Sequence, residues 1–342
     1  MHIAITGGCG FLGAALARRI LQLPGLSRAG QPAEAVESIT LIDQTAPPPD
    51  LVADPRVHAV TGDLNALFSA PNRAASPVLP ARAAIIFHLA AAVSGECETD
   101  FDLGLRSNID ATRTLLEACR ALGTAPMLVF ASSLAVFGNS PEMPLPDVID
   151  DRTLPTPQSS YGMQKFVGEQ LVADYGRKGF VQSRNLRLMT VSVRPGKPNG
   201  AASSFLSGMV REPWAGIRAV CPVPPDTPVA LASPGNTLDG LLRAVTASDA
   251  EWGARSALNL PALSTTPREI ANALAELAGP EVAALIDWKF DAAIARIVTQ
   301  WPSRIHAARA QALGLQPDAD IRGVIAAYLG ENPNSARRIH PQ

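Results

Sequence analysis

The fold of this chain is decided near its start, where residues 6–13 read Thr6-Gly7-Gly8-Cys9-Gly10-Phe11-Leu12-Gly13. The apolar run at 3–6 predicts a β-strand and residues 11–22 predict a helix, so these glycines lie in a strand-to-helix turn. Such glycines permit a tight turn, close approach of the backbone to a pyrophosphate and close packing of helix on strand. A purely structural turn is the alternative. The dinucleotide contacts that we predict are Gly7, Gly10, Phe11, Leu12 and Gly13.

Short apolar runs alternate with longer helical patterns through the first half of the chain, which is the rhythm of a parallel sheet covered by helices. The runs that predict strands lie at residues 3–6, 39–42, 57–61, 85–89, 127–131 and 185–191. Helical length and mixed apolar periodicity mark residues 11–22, 108–122 and 161–176. The order predicts an α/β fold built on a doubly wound parallel sheet of the Rossmann type.

The composition changes at about residue 196, beyond which prolines interrupt regular structure over a long stretch. We predict a dinucleotide-binding Rossmann domain at 1–190 that also carries the catalytic residues. A smaller C-terminal substrate-binding lobe would occupy 191–342, with some of its segments returning to the first domain. Stretches rich in proline and alanine at 46–55 and 70–81 are predicted to be surface excursions, because strand patterns resume after each.

The composition indicates a soluble globular protein that acts on a small molecule. Of 342 residues, 47% are apolar and 18% charged, and the net charge of −2 is spread without long runs of one sign. Nucleic acid and membranes are therefore not expected as partners. The 4 cysteines lie far apart without the spacing of a metal site, so we expect free thiols and no metal. We also expect a cytoplasmic location, because the start of the chain lacks the pattern of a secretory signal.

An acidic residue ends the second predicted strand and bears on the choice of cofactor. Asp43 follows Leu41 and Ile42, at a point where a carboxylate can accept hydrogen bonds from both hydroxyls of an adenosine ribose. The same carboxylate would repel a 2′-phosphate, so we predict NAD rather than NADP. A solvated aspartate at a strand end is the alternative.

Three further side chains form a candidate catalytic set. Tyr161 and Lys165 lie four residues apart, hence on one face of a predicted helix, where a cation stabilises a phenolate that acts as general base. Ser133 follows a buried strand at the ligand-binding edge of the sheet and would hydrogen-bond the reacting oxygen. The alternatives are a chance spacing for the Tyr-Lys pair and a turn in which the serine satisfies only backbone groups.

The ordered set of residues 6–13, Asp43, Asp63, 88–91, Asn108, Ser133, Tyr161 and Lys165 resembles the extended short-chain dehydrogenases/reductases over nearly the whole chain. This resemblance implies that Asp63 holds the adenine and that Lys165 also grips the nicotinamide ribose. It implies that Asn108 stabilises the helix interior near the site, and that the protein is a homodimer. The remaining cofactor contacts that it implies are Leu64, Leu89, Ala90, Ala91, Asn108 and Tyr161.

The substrate is indicated by a departure from the usual family pattern. Residues 229–234, where many members place a basic segment for a nucleotide diphosphate, carry no charge. Residues 92–96, 191–199, 201–205 and 221–226 instead resemble a sugar-acid dehydrogenase branch of the family. This resemblance implies NAD-dependent oxidation of the 2-hydroxyl of a four-carbon sugar acid, D-erythronate.

Side chains near these stretches are the candidate substrate contacts. Arg194 or Lys197 would neutralise a carboxylate, while Ser94, Asn199 and Ser203 would bind hydroxyls beside Ser133 and Tyr161. Both cations are equally well explained as solvated loop residues. Two other functions remain open from the sequence: a nucleotide-diphosphate-sugar epimerase or dehydratase, and a non-catalytic NAD-binding sensor.

Overall fold

A computed structural model describes residues 1–68 and 78–333. The chain divides into two compact units, the first formed by Met1–Val136, Ser160–Arg187 and Leu238–Leu258, the second by Phe137–Ser159, Leu188–Thr237 and Asn259–Gln342. The strands are β1 His2–Thr6, β2 Ser38–Asp43, β3 Val57–Thr61, β4 Ala83–His88, β5 Met127–Ser133, β6 Ile149–Asp150, β7 Gln182–Leu188, β8 Thr190–Val191, β9 Ala219–Cys221, β10 Val229–Ala232, β11 Leu258–Asn259, β12 Leu263–Thr265, β13 Ile286–Trp288 and β14 Ile305–His306.

The helices are α1 Phe11–Leu21, α2 Pro49–Val52, α3 Leu64–Phe68, α4 Ser94–Thr99, α5 Phe101–Gly104, α6 Ala111–Leu122, α7 Ser160–Arg177, α8 Ser204–Trp214, α9 Pro234–Thr246, α10 Asp249–Trp252, α11 Pro267–Ala278, α12 Pro280–Ala283, α13 Ala292–Val298, α14 Ala308–Ala312 and α15 Ile321–Glu331. A π-helical segment, Leu105–Asp110, leads into α6. Within the described ranges, no helix combines the length and the apolar character that crossing a membrane requires.

The first unit is built on a sheet whose 7 strands, counted over the described residues, run in the order β11-β7-β5-β4-β1-β2-β3. The strands from β1 to β5 pair in parallel. The chain winds outward from β1 to β3 and then returns to β4 on the other side of β1. Thr6 at the end of β1 pairs with His88 at the end of β4, and this change of direction is where ligands bind in such sheets. The predicted fold class is confirmed.

Burial on both faces explains why these strands read as continuous apolar runs. Nearly every residue of β2, β4 and β5 is buried. Leu115 and Leu116 of α6 and Val172 of α7 pack against Leu128 and Phe130 of β5 in one apolar core. The helices α6 and α7 therefore cover the strand that ends in Ser133.

The second unit has a core of its own, which joins helices to short strands. Its largest sheet, within the part of the chain described, orders β12, β10 and β8 side by side. Met209 of α8, Leu231 of β10, Ile270 and Leu274 of α11 and Ile325 of α15 are all buried in this core. Helix α11 begins with a capping box, in which Thr266 and Glu269 each accept a backbone N–H at its N-terminus.

The predicted elements of the first half are confirmed, with differences at their ends. The predicted helix 108–122 begins inside the π-helical segment, and the predicted strand 185–191 is divided into β7 and β8, with Met189 between them. The predicted excursion at 46–55 contains α2, whereas residues 70–77 of the second excursion lie outside the described residues. The domain limits at 190 and 191 stay a prediction.

Candidate active site

The glycine-rich turn has a geometry that only glycine permits at two positions. Gly7 has a φ of 68°, and a Cβ there would lie 2.7 Å from the backbone nitrogen of Ala90. A Cβ on Gly13 would overlap the carbonyl oxygen of Gly7. Gly10 is the N-cap residue of α1 and provides no side chain to cap the first N–H groups of this helix. The turn is thus an open cradle ending in a helix N-terminus, which fits the pyrophosphate of NAD.

Asp43 fixes this turn to the end of β2. Its Oδ2 accepts a hydrogen bond of 3.0 Å from the backbone nitrogen of Cys9, and its Oδ1 accepts from the nitrogen and Oγ1 of Thr45, each at 3.1 Å. Burial, together with the Asp43 carboxylate, raises the pKa of the Cys9 thiol to about 11. The thiol is therefore neutral beside the glycine turn, and the carboxylate is held at the end of β2. Its contact with a ribose stays a prediction.

Further predicted cofactor contacts form two groups, one beside Gly7 and one at the start of α3. Leu89 donates its backbone N–H to the carbonyl of Thr6 at 3.1 Å, and the Ala90 nitrogen lies 3.4 Å from Thr6 Oγ1. This places residues 89–91 beside Gly7. Asp63 lies at the start of α3, where its Oδ1 accepts from the nitrogen of Ala66 at 3.1 Å, and Leu64 is buried. The role of Asp63 in holding an adenine stays a prediction.

A buried histidine that we did not predict stiffens the same edge of the sheet. His88 Nδ1 lies 2.6 Å from Thr6 Oγ1, and its Nε2 lies 2.9 Å from Thr112 Oγ1. Because the Thr112 hydroxyl donates to the carbonyl of Asn108, Nε2 must carry the proton and Nδ1 must accept from Thr6. Burial, aided by the charge of Lys165, lowers the pKa of His88 to about 3, so the ring is neutral.

Lys165 is anchored in the first unit beside the end of β5. Its Nζ donates a hydrogen bond of 2.9 Å to the carbonyl oxygen of Ala131 and lies 5.8 Å from the centre of the Tyr161 ring. Burial lowers the pKa of Lys165 to about 8, against the opposing influence of Cys97 and Glu169. Tyr161 lies in the first turn of α7. The phenol and the ammonium therefore share one helix face, as predicted.

Ser133 is the last residue of β5, and its Oγ accepts a hydrogen bond of 3.2 Å from the backbone nitrogen of Ala135. This hydroxyl thus satisfies one backbone group of the following turn and keeps its proton for another acceptor. Ser133 and the Ala131 carbonyl that holds Lys165 lie two residues apart on one strand. The structure thereby brings Ser133 and α7 to the same end of the sheet.

Asn108 connects the segments that frame this end of the sheet. Its Oδ1 accepts from the nitrogen of Ala92 at 2.9 Å, while its Nδ2 donates to the carbonyl of Ala92 at 3.1 Å and to Oε1 of Gln164 at 2.8 Å. The side chain is 3% exposed and lies in the π-helical segment, a distortion that is frequent at functional sites. Gln164, which the sequence reasoning missed, thus links Asn108 to α7.

The candidate substrate contacts divide between the two units. Ser94 is buried at the start of α4 in the first unit. In the second unit, Arg194 is half-buried, Lys197 and Asn199 are exposed, and Ser203 immediately precedes α8. Their contact with a substrate stays a prediction.

The uncharged stretch at 229–234 is explained by burial. Residues 229–232 form β10, the middle strand of its sheet, and all four are buried. Two arginines of the second unit are alternatives for binding a diphosphate, but both have partners: Arg211 donates to the Arg194 carbonyl and pairs with Glu212, and Arg218 pairs with Asp287. Both of these arginines are therefore already engaged by carboxylates.

Comparison with known proteins gives one family and several full-length relatives. The NAD dependent epimerase/dehydratase family matches residues 3–217. The chain is 48% identical to a D-erythronate dehydrogenase of Cupriavidus necator, over 96% of this chain and 98% of that one. It is 38% identical to a D-erythronate dehydrogenase of Haemophilus influenzae, over 96% and 99%.

Among solved structures, one described as a nucleoside-diphosphate-sugar epimerase from Agrobacterium tumefaciens superposes with a TM-score of 0.85 at 38% identity. The match covers 98% of this chain and 95% of that one. The L-threonine 3-dehydrogenase of Trypanosoma brucei superposes with a TM-score of 0.80 at 21% identity, covering 97% of each chain. The second likeness is one of fold alone.

Proposed function

Because the chain belongs to the NAD dependent epimerase/dehydratase family, we propose that it oxidises the 2-hydroxyl of D-erythronate to 2-dehydro-D-erythronate with NAD. The observation that carries the chemistry is the buried ammonium of Lys165, held one helical turn from Tyr161 and tied to the strand that ends in Ser133. The choice of substrate is supported by the two full-length relatives and by the uncharged, buried β10.

In the proposed reaction, Tyr161 as phenolate takes the proton of the 2-hydroxyl, while Ser133 donates a hydrogen bond to the same oxygen. Lys165 favours the phenolate through its positive charge, because the two side chains lie together in a poorly solvated site. NAD, when bound, would supply the acceptor for the hydride of carbon 2. The glycine turn would hold the pyrophosphate of this cofactor, and Asp43 would accept hydrogen bonds from the hydroxyls of its adenosine ribose.

For the substrate we assign the carboxylate to Arg194 or Lys197 and the remaining hydroxyls to Ser94, Asn199 and Ser203. A carboxylate needs a cation or several N–H donors when it leaves water, whereas hydroxyls are bound by small polar side chains. An alanine at either cation that raises the KM for the acid without changing the Kd of NAD supports its role. An unchanged KM removes it from the site.

The cellular context that fits this reaction is carbohydrate metabolism in the cytoplasm, with the protein acting as a homodimer. The cysteines are consistent with a reducing compartment, since Cys97, Cys119 and Cys221 are buried as free thiols. Sedimentation of the purified protein tests the dimer. A monomer at micromolar concentration overturns it.

A substrate panel tests the activity. The purified protein is mixed with NAD and, separately, D-erythronate, L-threonate, longer aldonates and UDP-sugars, and the absorbance of reduced nicotinamide is followed. We expect NADH with D-erythronate and none with UDP-sugars. Conversion of a UDP-sugar without added NAD, together with silence on every acid, makes the protein an epimerase or dehydratase instead. Binding of NAD without turnover of any compound makes it a sensor.

A further inference from the structure

One acidic side chain of α7 lies on the same face as Tyr161 and Lys165 and has no place in the reaction described above. Glu169 follows Lys165 by four residues and is 1% exposed. Its Oε1 accepts from the Ser132 hydroxyl at 2.5 Å and from Arg187 Nε at 2.9 Å, while its Oε2 accepts from Arg187 Nη2 at 2.9 Å. The carboxylate is therefore held by two strands, β5 and β7.

The contact with Ser132 ties α7 to β5 next to Ser133. Lys165 donates to the carbonyl of Ala131, and Glu169 accepts from the following residue, so helix and strand are joined at two consecutive positions. The helix backbone also lies close against a side chain of β5 here, because a Cβ on Gly168 would lie 2.5 Å from the Phe130 ring. The hydrogen bond to Glu169 thus fixes Ser132, the neighbour of Ser133 at the end of β5, against α7.

Burying the ion pair between Glu169 and Arg187 costs desolvation free energy, so packing alone does not explain why the pair is there. Arg187 is 5% exposed, and a buried pair of charges contributes less to stability than well-packed apolar side chains of the same size in many proteins. What such a pair does supply is a fixed geometry and a fixed charge. The fixed position and the charge of Glu169 both affect Lys165, which lies one helical turn away.

The Glu169 carboxylate follows Lys165 by one helical turn, and its charge opposes the burial that lowers the pKa of Lys165. Among the described residues, the other titratable groups near Lys165 are Tyr161 on α7, His88 on β4 and Cys97 on α4. Two charged groups also face α7: Arg187 on β7, which pairs with Glu169, and Glu98 on α4, which accepts from the backbone nitrogen of Ser160. Burial lowers the pKa of His88 to about 3 and raises that of Cys97 to about 11, so both are neutral at neutral pH. The nearby amides of Asn108 and Gln164 carry no charge.

We propose that Glu169 is a positioning residue, which sets α7 against the strand bearing Ser133 and keeps the Lys165 ammonium charged at the pH of catalysis. This inference rests on the proposed function only in taking Lys165 and Ser133 as parts of the reaction. Glu169 touches neither substrate nor cofactor in this scheme. It acts through Ser132 on one side and through the field at Lys165 on the other.

The charge is tested by Glu169→Gln, which keeps the shape of the side chain and an acceptor for Ser132. The chain has 4 lysines, and Lys178, Lys197 and Lys289 are exposed, so ¹³C-labelled lysine gives an NMR titration of Lys165 with three internal references. We expect the Lys165 midpoint to move down by about one pH unit and kcat to fall about tenfold or more, with the Kd of NAD nearly unchanged. An unmoved midpoint overturns the electrostatic part of the proposal.

The NMR readout needs no turnover, so it separates this inference from the proposed activity. If the protein oxidises no sugar acid, a moved midpoint still assigns the charge effect to Glu169. The position effect is tested by Glu169→Asp, which keeps the charge but reaches less far toward Ser132. We expect an unmoved midpoint with a lowered kcat. Wild-type kcat in this variant overturns the positioning role.

Stability is controlled in two ways. Asp249→Asn removes the partner of Arg184, another buried arginine of the first unit, and is expected to lower the Tm while leaving kcat and the Lys165 midpoint unchanged. If Glu169→Gln fails to fold because Arg187 loses this carboxylate, the double variant Glu169→Gln/Arg187→Met removes both charges. Recovery of the Tm together with wild-type kcat in the double variant would reduce Glu169 to a structural residue.

Discussion

The ammonium nitrogen of Lys165 lies 2.9 Å from the carbonyl oxygen of Ala131 and donates a hydrogen bond to it. Ala131 precedes Ser133 by two residues on β5, and Tyr161 precedes Lys165 by one turn on α7. This contact, next to the one between Glu169 and Ser132, joins the strand and the helix that supply the three proposed catalytic side chains. The Lys165 ammonium is buried at this contact, and its burial controls how the site responds to pH.

The kcat/KM for D-erythronate is expected to fall above about pH 8. Burial lowers the pKa of Lys165 from 10.5 to about 8, so the ammonium that favours the phenolate is lost as the pH rises through about 8. Between about pH 8 and pH 10.5 the unfolded chain holds the Lys165 proton more tightly than the folded chain does. The contribution of Lys165 to folding stability therefore rises with pH in this range, while the activity falls. A pH profile of Lys165→Arg, which stays charged, serves as comparison. Activity that rises steadily from pH 7 to pH 10 contradicts the role.

Replacement of Tyr161 by phenylalanine is expected to lower kcat by at least about 100-fold, because the proton acceptor is lost. The Kd of NAD, measured by titration calorimetry, should stay near the wild-type value. Tyr175→Phe is the matched control, since Tyr175 lies on the same helix and its hydroxyl donates to Glu117. Turnover retained in the first variant would remove Tyr161 from the mechanism.

The choice between cofactors is expected to depend on Asp43. In Asp43→Asn the Kd of NAD should rise about tenfold, because the amide accepts one ribose hydroxyl where the carboxylate accepts two. Discrimination against NADP should weaken in the same variant, since the repulsion of the 2′-phosphate is gone. Asp50→Asn, which breaks an exposed ion pair with Arg18, is the control. A wild-type protein that prefers NADP refutes this part of the account.

A methyl group at residue 13 is expected to disrupt the cradle. Gly13→Ala brings its Cβ against the Gly7 carbonyl, and forcing such a contact costs about 1–3 kcal/mol of folding stability. Binding of NAD should weaken as well, because the turn must shift. Gly330→Ala lies in a helix with no atom within 4 Å of the new methyl group and should leave Tm and binding unharmed. Equal effects of the two variants would argue against the cradle.

The histidine buried beside the cradle is expected to make the fold acid-sensitive. Burial lowers the pKa of His88 from 6.5 to about 3, so between these values the unfolded chain binds a proton that the folded chain does not. Stability is complete above pH 6.5 and is lost as the pH falls, by at most about 1.4 kcal/mol per pH unit. In His88→Gln the Tm should depend less steeply on pH below pH 6.5. An unchanged slope places the acid sensitivity elsewhere.

The sequence predicted those features that depend on residues close together in the chain. The glycine turn between strand and helix and the Tyr161-Lys165 spacing are local patterns, and the structure confirms the elements that carry them. The alternation of strands and helices likewise predicted the doubly wound sheet, because parallel strands need crossover helices.

Features that depend on distant pairing were not predicted. Glu169 continues the four-residue spacing from Tyr161 and Lys165, and this was a signal in the sequence, but its meaning needed the position of Arg187 on β7. The neutral state of His88 follows from complete burial between Thr6 and Thr112, which no local pattern reports. The three-stranded sheet of the second unit pairs short strands that are far apart in the chain, so the sequence indicated only a proline-interrupted lobe.

The transfer of a labelled hydride tests the central claim most directly. D-erythronate that carries deuterium at carbon 2 is incubated with the protein and NAD, and the reduced cofactor and the acid are analysed by mass spectrometry. We predict NADH that carries one deuterium, formed together with 2-dehydro-D-erythronate. Deuterium that remains in the acid, or that is lost to water with no NADH formed, would contradict oxidation at this carbon and with it the proposed function.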